Sequence, residues 1–258
     1  MKIATFNANG IRARLPIILE WLDKESPDVL CLQETKVQDV DFPRKPIENL
    51  GYHCAFRGQK AYNGVTILGK RPPEKVSFGF GDGDVSEEPR LLVATINNIP
   101  IVNTYVPQGY APGSGKFRYK LEWLQRLRSY FVHHFQPDIP LLWVGDINVA
   151  PEPIDVYDPK GLLGHVGFHP DEHKALSALK AWGFVDVFRR HESGSKMYTF
   201  WDYRIPNAVR RNLGWRLDHI LATPPLAQKS TRAWIDMAPR LAHKPSDHTF
   251  VVAEFDVG

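Results

Sequence analysis

The chain has 258 residues, 43% of them hydrophobic and 24% charged, with a formal net charge of +3. These are ordinary values for a soluble globular protein. No run approaches the roughly 20 consecutive apolar residues a membrane helix needs, and "MKIATFNANG" lacks the apolar centre of a secretion signal, so a cytoplasmic, non-membrane protein is expected. Cys31 and Cys54 lie in the strand-like surroundings "VLCLQE" and "YHCAF". They read as buried free thiols rather than a disulfide or a metal pair.

In chain order, strand-like runs occur at "KIATFNAN", "DVLCLQE", "GVTIL", "LLVATI", "IPIVNTYV", "IPLLWVGD", "WRLDHILA" and "FVVAEFDV", each rich in β-branched or aromatic residues. "PIILEWLDKES" reads as a helix with Pro16 in its first turn, where a missing N–H costs little. "KFRYKLEWLQRLRSYFVHHF" sets Phe117, Leu121, Leu124, Phe131 and Phe135 on one face, with Lys and Arg opposite. "PDEHKALSALKAWG" reads as a third helix, opening on Pro170 and stopping at Gly183. Turn-rich stretches at 79–90, 107–115, 151–170 and 202–214 are longer than compact domains ordinarily carry unless they bind something. No repeat, low-complexity tract or linker divides the chain, so residues 1–258 read as one domain.

Charge is unevenly spread. Between Phe188 and Pro245, eleven Lys and Arg stand against four Asp and Glu. A solvated basic face and a phosphate-binding surface beside an acidic site both fit this, and charge alone does not choose between them.

The apolar runs end in hydrogen-bonding groups: Asn7 and Asn9, Gln33 and Glu34, Asn103 and Tyr105, Asp146 and Asn148, then Asp247 and His248 before the last run. Asp218 sits inside an apolar strand, where an unpaired charge would be costly. Any one of these is most simply a strand end in solvent or a turn former. Together they suggest carboxylates converging on a divalent cation, since convergence without one raises their pKa values. Hard oxygens from Glu34, Asp146 and Asp247, with amides such as Asn7, favour Mg²⁺ or Mn²⁺. His165, His169 and His173 have a tempting spacing for zinc, but Pro170 breaks it, and the segment reads as a loop followed by a helix start. An Asp218–His248 pair would fix the imidazole tautomer and favour its charged form. Asp146, oriented by Asn148, suits handling the proton of an attacking water or a leaving oxygen.

Along almost its whole length the chain resembles the exonuclease III family of Mg²⁺-dependent abasic-site endonucleases, within the endonuclease/exonuclease/phosphatase superfamily. The resemblance rests on "PDVLCLQETK", "GDIN", "NLGWRLDHILAT", "YTFWDYR" and "SDH". It implies Glu34 as a metal ligand with Asp247, Asn7, Asp146 and Asn148, and a catalytic set of Asp146, His248, Asp218, Asn148, Tyr105 and Asn7. It also implies a pocket for an extruded abasic sugar made by Phe200, Trp215 and Leu217, with Arg204 and Asn9 on the DNA side. The implied fold is a four-layered α/β sandwich, two mixed β-sheets packed face to face with helices outside. The implied activity is Mg²⁺-dependent cleavage, with Mn²⁺ able to substitute, on the 5′ side of abasic sites in duplex DNA. A 3′→5′ exonuclease or 3′-phosphodiesterase activity on blocked 3′ ends, and a monomeric state, accompany it.

Two departures stand out: "DVFRR" (Asp186 to Arg190) is an imperfect second signature, and Pro89 stands where the family often has Gly. "SDH" and "GDxN" alone would equally suit a phosphodiesterase or phosphatase acting on lipid or small phosphate esters. The aromatic segment and "GWRLD" are what point to DNA. A catalytically silent nucleic-acid-binding regulator would be marked by a lost metal-site residue, and none is missing.

Overall fold

Along the first strand Ile3 and Ala4 face opposite ways, and both are fully buried. A strand buried on both faces has to lie between two apolar layers, and this repeats across the molecule. The computed structural model describes residues 1–83 and 88–257. Residues 84–87, part of the turn-rich stretch 79–90, lie outside the described residues.

Among the described residues twelve strands form two six-stranded sheets. The strands are β1 (Lys2–Asn7), β2 (Val29–Gln33), β3 (His53–Arg57), β4 (Val65–Gly69), β5 (Glu74–Phe78), β6 (Leu91–Ile96), β7 (Ile99–Tyr105), β8 (Leu142–Asp146), β9 (Val185–Asp186), β10 (Asp218–Ala222), β11 (Ser230–Asp236) and β12 (Phe250–Phe255). One sheet has the order β11-β12-β1-β2-β4-β3, the other β5-β6-β7-β8-β10-β9. Each is mixed: β1 runs parallel to β2 and β7 to β8, and the other pairs are antiparallel. The helices are α1 (Ile11–Glu25), α2 (Arg44–Glu48), α3 (Gly115–His134), α4 (Pro170–Ala181), α5 (Val187–His191) and α6 (Pro224–Ala227).

Ile3, Val29, Cys31, Ile101, Val144 and Ile220 fill the space between the sheets. Leu30, Leu32 and Phe250 face outward against Ile18, Trp21 and Leu22 of α1. On the other side Val102 and Trp143 pack against Trp123, Leu127 and Phe131 of α3 and Leu179 of α4. The result is the expected four-layered sandwich. Among the described residues no helix is long and apolar enough to cross a membrane.

Several local expectations need correction. α1 begins at Ile11, so Pro16 lies inside it rather than in its first turn. The early start is stabilised from a distance, since Gly10 and Ile11 donate their N–H groups to the Glu34 and Thr35 carbonyls at 2.8 and 3.0 Å. On α3 the buried face is rotated: Lys120, Trp123 and Leu127 are buried with Phe117, Leu124 and Phe131, while Leu121 and Phe135 are only half-buried. Both cysteines are free thiols, but Cys54 is half-buried rather than buried. The stretch from His165 to His173 is the loop and helix start expected of it: His165 lies in the loop, His169 caps α4 and His173 falls within the helix.

Candidate active site

β1, β2, β8 and β10 present their polar ends at one rim of the sandwich. The chain leaves this rim through residues with left-handed backbone: Asn9 (φ 43°), Glu34 (φ 54°) and Asn148 (φ 54°). Such conformations cost energy outside glycine and cluster where side chains must be aimed.

Asp146 and Asp218 are direct cross-strand neighbours of β8 and β10, and both are buried. His248 joins them, with Nδ1 2.7 Å from Asp218 Oδ2 and Nε2 3.8 Å from Asp146 Oδ2. Burial opposes the imidazolium, but Asp218, then Asp146, outweigh it and raise His248 to about 10. Burial raises the Asp146 carboxyl above the usual range; His248 opposes this rise and Asp218 adds to it.

Two amides tie the carboxylates together. Asn7 Nδ2 donates to Glu34 Oε2 at 3.0 Å and to Asp146 Oδ2 at 2.8 Å, joining the two sheets. Its Oδ1 accepts the Asn9 N–H at 2.9 Å, which fixes the orientation of the amide. Asn148 gives its backbone N–H to Asp146 Oδ1 at 2.9 Å, and its Nδ2 to Asp146 Oδ2 at 3.2 Å and the Val106 carbonyl at 2.9 Å. So oriented, Asn7 and Asn148 hold the carboxylates through their amide nitrogens. Asn9 Nδ2 donates to Asp247 Oδ1 at 2.9 Å, and Lys36 Nζ lies 2.8 Å from Glu34 Oε1. Burial, then Glu34 and Asp146, hold the Tyr105 phenol well above its ordinary pKa, and the Arg90 guanidinium lies 4.8 Å over its ring.

The segment Tyr198–Trp201 connects the remaining pieces. Thr199 Oγ1 accepts the Leu217 and Asp218 N–H groups at 3.0 and 3.1 Å, and Phe200 bridges both Trp215 and His248 through its backbone. Phe200 also packs on the His248 ring at a centroid distance of 4.9 Å. Phe200, Trp215 and Leu217 thus form an apolar wall beside the acidic cluster.

Eleven of the thirteen residues expected at the site line one cavity of about 550 Å³. The other two, Asn7 and Asp218, lie directly behind it, hydrogen-bonded to lining residues. Motif reading missed Lys36, Gln108, Tyr110, Tyr157, Leu162, Val166, Gly167, Asp202 and Ile205, which also line the cavity, and passed over His165. All but Lys36 belong to three of the four long turn-rich stretches, so loop length was the available signal. The basic stretch is less exposed than a charge count implies. Arg216 and Arg240 are buried, and Arg216 binds Asp155 and Asp186.

Residues 4–248 match the model of the endonuclease/exonuclease/phosphatase family. The chain belongs to that family. It is 33% identical to exodeoxyribonuclease III of Haemophilus influenzae over 267 residues, covering 99% of this chain and 100% of that one. Its structure is similar to that of an AP endonuclease from Archaeoglobus fulgidus, with 48% identity, a TM-score of 0.96 and 100% of both chains covered. It is also similar to the 3′ phosphatase NExo from Neisseria bound to product DNA hairpin, with 34% identity, a TM-score of 0.95 and 100% of both chains covered. The chain is accordingly a hydrolytic nuclease.

Nucleases of this family are metal-dependent, and the residues here suit a cation. Asp146, Asp218 and His248 offer ligand atoms within 4.8 Å of one another, and Asp218 Oδ1 is buried without a hydrogen-bond partner. With Glu34 and Asp247 at the cavity wall, this is an excess of hard oxygen donors that a divalent cation would neutralise.

Proposed function

We propose that this protein is a Mg²⁺-dependent DNA repair nuclease, its 258 residues acting as one unit, that hydrolyses the phosphodiester 5′ to abasic sites in duplex DNA. The same chemistry at 3′ ends would give 3′→5′ exonuclease and 3′-phosphodiesterase activity. The observation that carries the reading is the contact between the Asp146–Asp218–His248 cluster and the apolar wall of Phe200, Trp215 and Leu217.

Glu34 and Asp247, with Asp146 beside them, would hold the cation, which supplies charge neutralisation to the phosphoryl oxygens. His248, kept cationic by Asp218, donates a hydrogen bond to a phosphoryl oxygen through Nε2. A ring that already carries both protons cannot accept another, so Asp146 receives the proton of the attacking water as the P–O3′ bond breaks, and the departing 3′ oxygen takes a proton from bulk water. Asn7 and Asn148 keep that carboxylate aimed. Tyr105, protonated at all working pH values, donates its O–H toward the phosphate.

An abasic nucleotide has no base to unstack, so turning it out of the duplex costs less than flipping an intact one. The apolar wall accepts a bare sugar and excludes a base. Arg204, 88% exposed at its side chain and anchored by Asp202, stands at the rim where it can fill the vacated space in the duplex. Exposed Lys and Arg around the cavity hold the flanking phosphates, which makes binding salt-dependent.

The test is a labelled duplex carrying one tetrahydrofuran abasic analogue, incubated with Mg²⁺ or EDTA beside an undamaged control. A Mg²⁺-dependent cut on the 5′ side of the analogue, much faster than any cut in the control, is expected. Equal rates on the two duplexes would overturn the abasic-site reading, and no cutting of either would overturn the nuclease reading.

A further inference from the structure

The buried face of α3 contains a charge. Lys120 and its partner Glu172, in the first turn of α4, are both fully buried. The Lys120 ammonium has three N–H groups and three acceptors: Glu172 Oε1, the Asn148 carbonyl at 2.7 Å and the Gln108 carbonyl at 3.3 Å. Glu172 Oε2 in turn accepts the backbone N–H groups of Gly167 at 2.7 Å and His169 at 3.1 Å. Gly109, with φ +97°, lies directly over the lysine stem, where an added Cβ would come within 3.1 Å of Lys120 Cδ.

One ion pair therefore binds three separate walls of the cavity, at Gln108, Asn148 and Gly167. The bond to Asn148 carries most consequence. That residue holds a left-handed backbone (φ 54°) while its N–H and Nδ2 aim the Asp146 carboxylate. With the carbonyl of the same residue anchored by Lys120, the Asn148 backbone is held on both sides of its Cα and cannot turn out of the left-handed conformation without breaking a charge-assisted hydrogen bond. Net stability is a poor explanation for the pair, because buried ion pairs of this kind are often replaced by apolar residues without loss.

We infer that Lys120 and Glu172 are positioning residues for the reaction: they hold the Asn148 backbone, and through it the aim of Asp146, to the loops that form the cavity wall. This rests on the nuclease reading above. Nothing in the pair touches substrate, so its loss should slow turnover more than it weakens binding.

The decisive variant is K120M/E172Q. It removes both charges together and keeps an amide oxygen to accept from Gly167 and His169, while the donor to the Asn148 and Gln108 carbonyls is lost. Two quantities are measured beside the wild-type protein: kcat and KM on the abasic-analogue duplex, and amide hydrogen exchange of residues 146–150 and 165–169 in cation-free protein. The expected result is a melting temperature within a few degrees of wild type and faster exchange at residues 146–150. kcat should fall on the order of 10–100-fold, with KM changed by less than about threefold. The single variant K120M, which strands the Glu172 charge, should lose stability as well. Wild-type kcat in the stably folded double variant would overturn the inference, as would a rate loss that disappears on cooling in proportion to recovered folding. If the wild-type protein itself fails to cut, the nuclease reading falls. Exchange at residues 146–150 then decides the structural claim alone, and unchanged protection refutes it.

Discussion

Asp218→Asn probes the site most sharply, because it removes one charge and nearly preserves the side chain's shape. Asp218 is fully buried, and its Oδ2 lies 2.7 Å from His248 Nδ1. Burial alone would drive the imidazole toward its neutral form; Asp218, followed by Asp146, instead raises it from 6.5 to about 10. That rise is worth about 5 kcal/mol in favour of the imidazolium. Asp218 is the largest attractive contribution, so its removal should bring the His248 midpoint to neutrality or below. At pH 7.5 the variant would then have mostly neutral imidazole where the phosphoryl oxygen needs a cationic donor. Cleavage of an abasic-analogue duplex should slow on the order of 10²–10³-fold, and recover in part as the pH is lowered toward 6 and the ring regains its proton. Single-turnover rates across pH 5.5–9 test this, together with the His248 resonances in cation-free protein. The wild-type ring should remain cationic through pH 8. A wild-type midpoint near 6.5, or a variant within threefold of wild-type rate at pH 7.5, would refute the reasoning.

Other consequences follow from neighbouring groups. Burial works against ionisation of Asp186, but Arg216 and His219 outweigh it and hold the carboxyl below the usual range. A depressed carboxylate contributes stability that is present above its unfolded pKa of about 4 and is lost as pH falls toward the folded value. Urea unfolding between pH 3 and 7 should show Asp186→Asn less stable by about 3 kcal/mol at pH 7, with a flatter acid limb than wild type; parallel curves would exclude the linkage. Trp215→Ala opens the apolar wall, and kcat/KM on the abasic duplex should fall about 10–100-fold while discrimination against intact duplex narrows; unchanged discrimination would remove Trp215 from the pocket. Burial, offset by His248 and reinforced by Asp218, raises the cation-free Asp146 carboxyl to about 7. Mg²⁺ favours the ionised form, so binding near pH 7 should release protons, which calorimetry in buffers of different ionisation enthalpy would detect; a buffer-independent heat would contradict the assignment.

What the sequence made legible tracks burial. Eight strands were visible as apolar runs because β1, β2, β4, β6, β7, β8, β10 and β12 are almost wholly buried. β5 and β11 lie at sheet edges, β5 largely exposed and β11 mostly half-buried or exposed, so "EKVSF" and "STRAWID" carry no comparable signal. Periodicity put the lysines of α3 toward solvent, and Lys120 broke that rule because Glu172 arrives from a helix 52 residues away. The motif residues of the site were legible through their position at strand ends. The loop residues around them were not, because each reaches the cavity through tertiary contacts with no local pattern. "DVFRR" had no evident task in the sequence; in the structure Asp186 and Arg189 flank Arg216 and Asp155, and so hold the segment that leads into β10 and presents Trp215, Leu217 and Asp218.

The polar ends of the strands prove to have two separate tasks, and the division explains how the site keeps its dimensions. Glu34 ends one sheet and Asp146 the other, yet Asn7 must reach both with a single amide nitrogen. That demands a fixed spacing between the sheets, which an apolar core defines only loosely, since oily side chains pack in many registers. Gln33 and Asn103 supply the missing constraint. Gln33 Nε2 donates to Asn103 Oδ1 at 2.7 Å across the intersheet space, one residue from Glu34. Asn103 Nδ2 donates to the Leu32 and Thr66 carbonyls of the opposite sheet at 3.0 and 2.9 Å. A buried amide pair tolerates only one arrangement, because any slip strands its donors away from water. Neither residue lines the cavity, but together they fix the two rims that do, so the spacing of the strand ends that carry Glu34 and Asp146 is set by sheet packing, while the loops above govern how the Asp146 carboxylate is aimed.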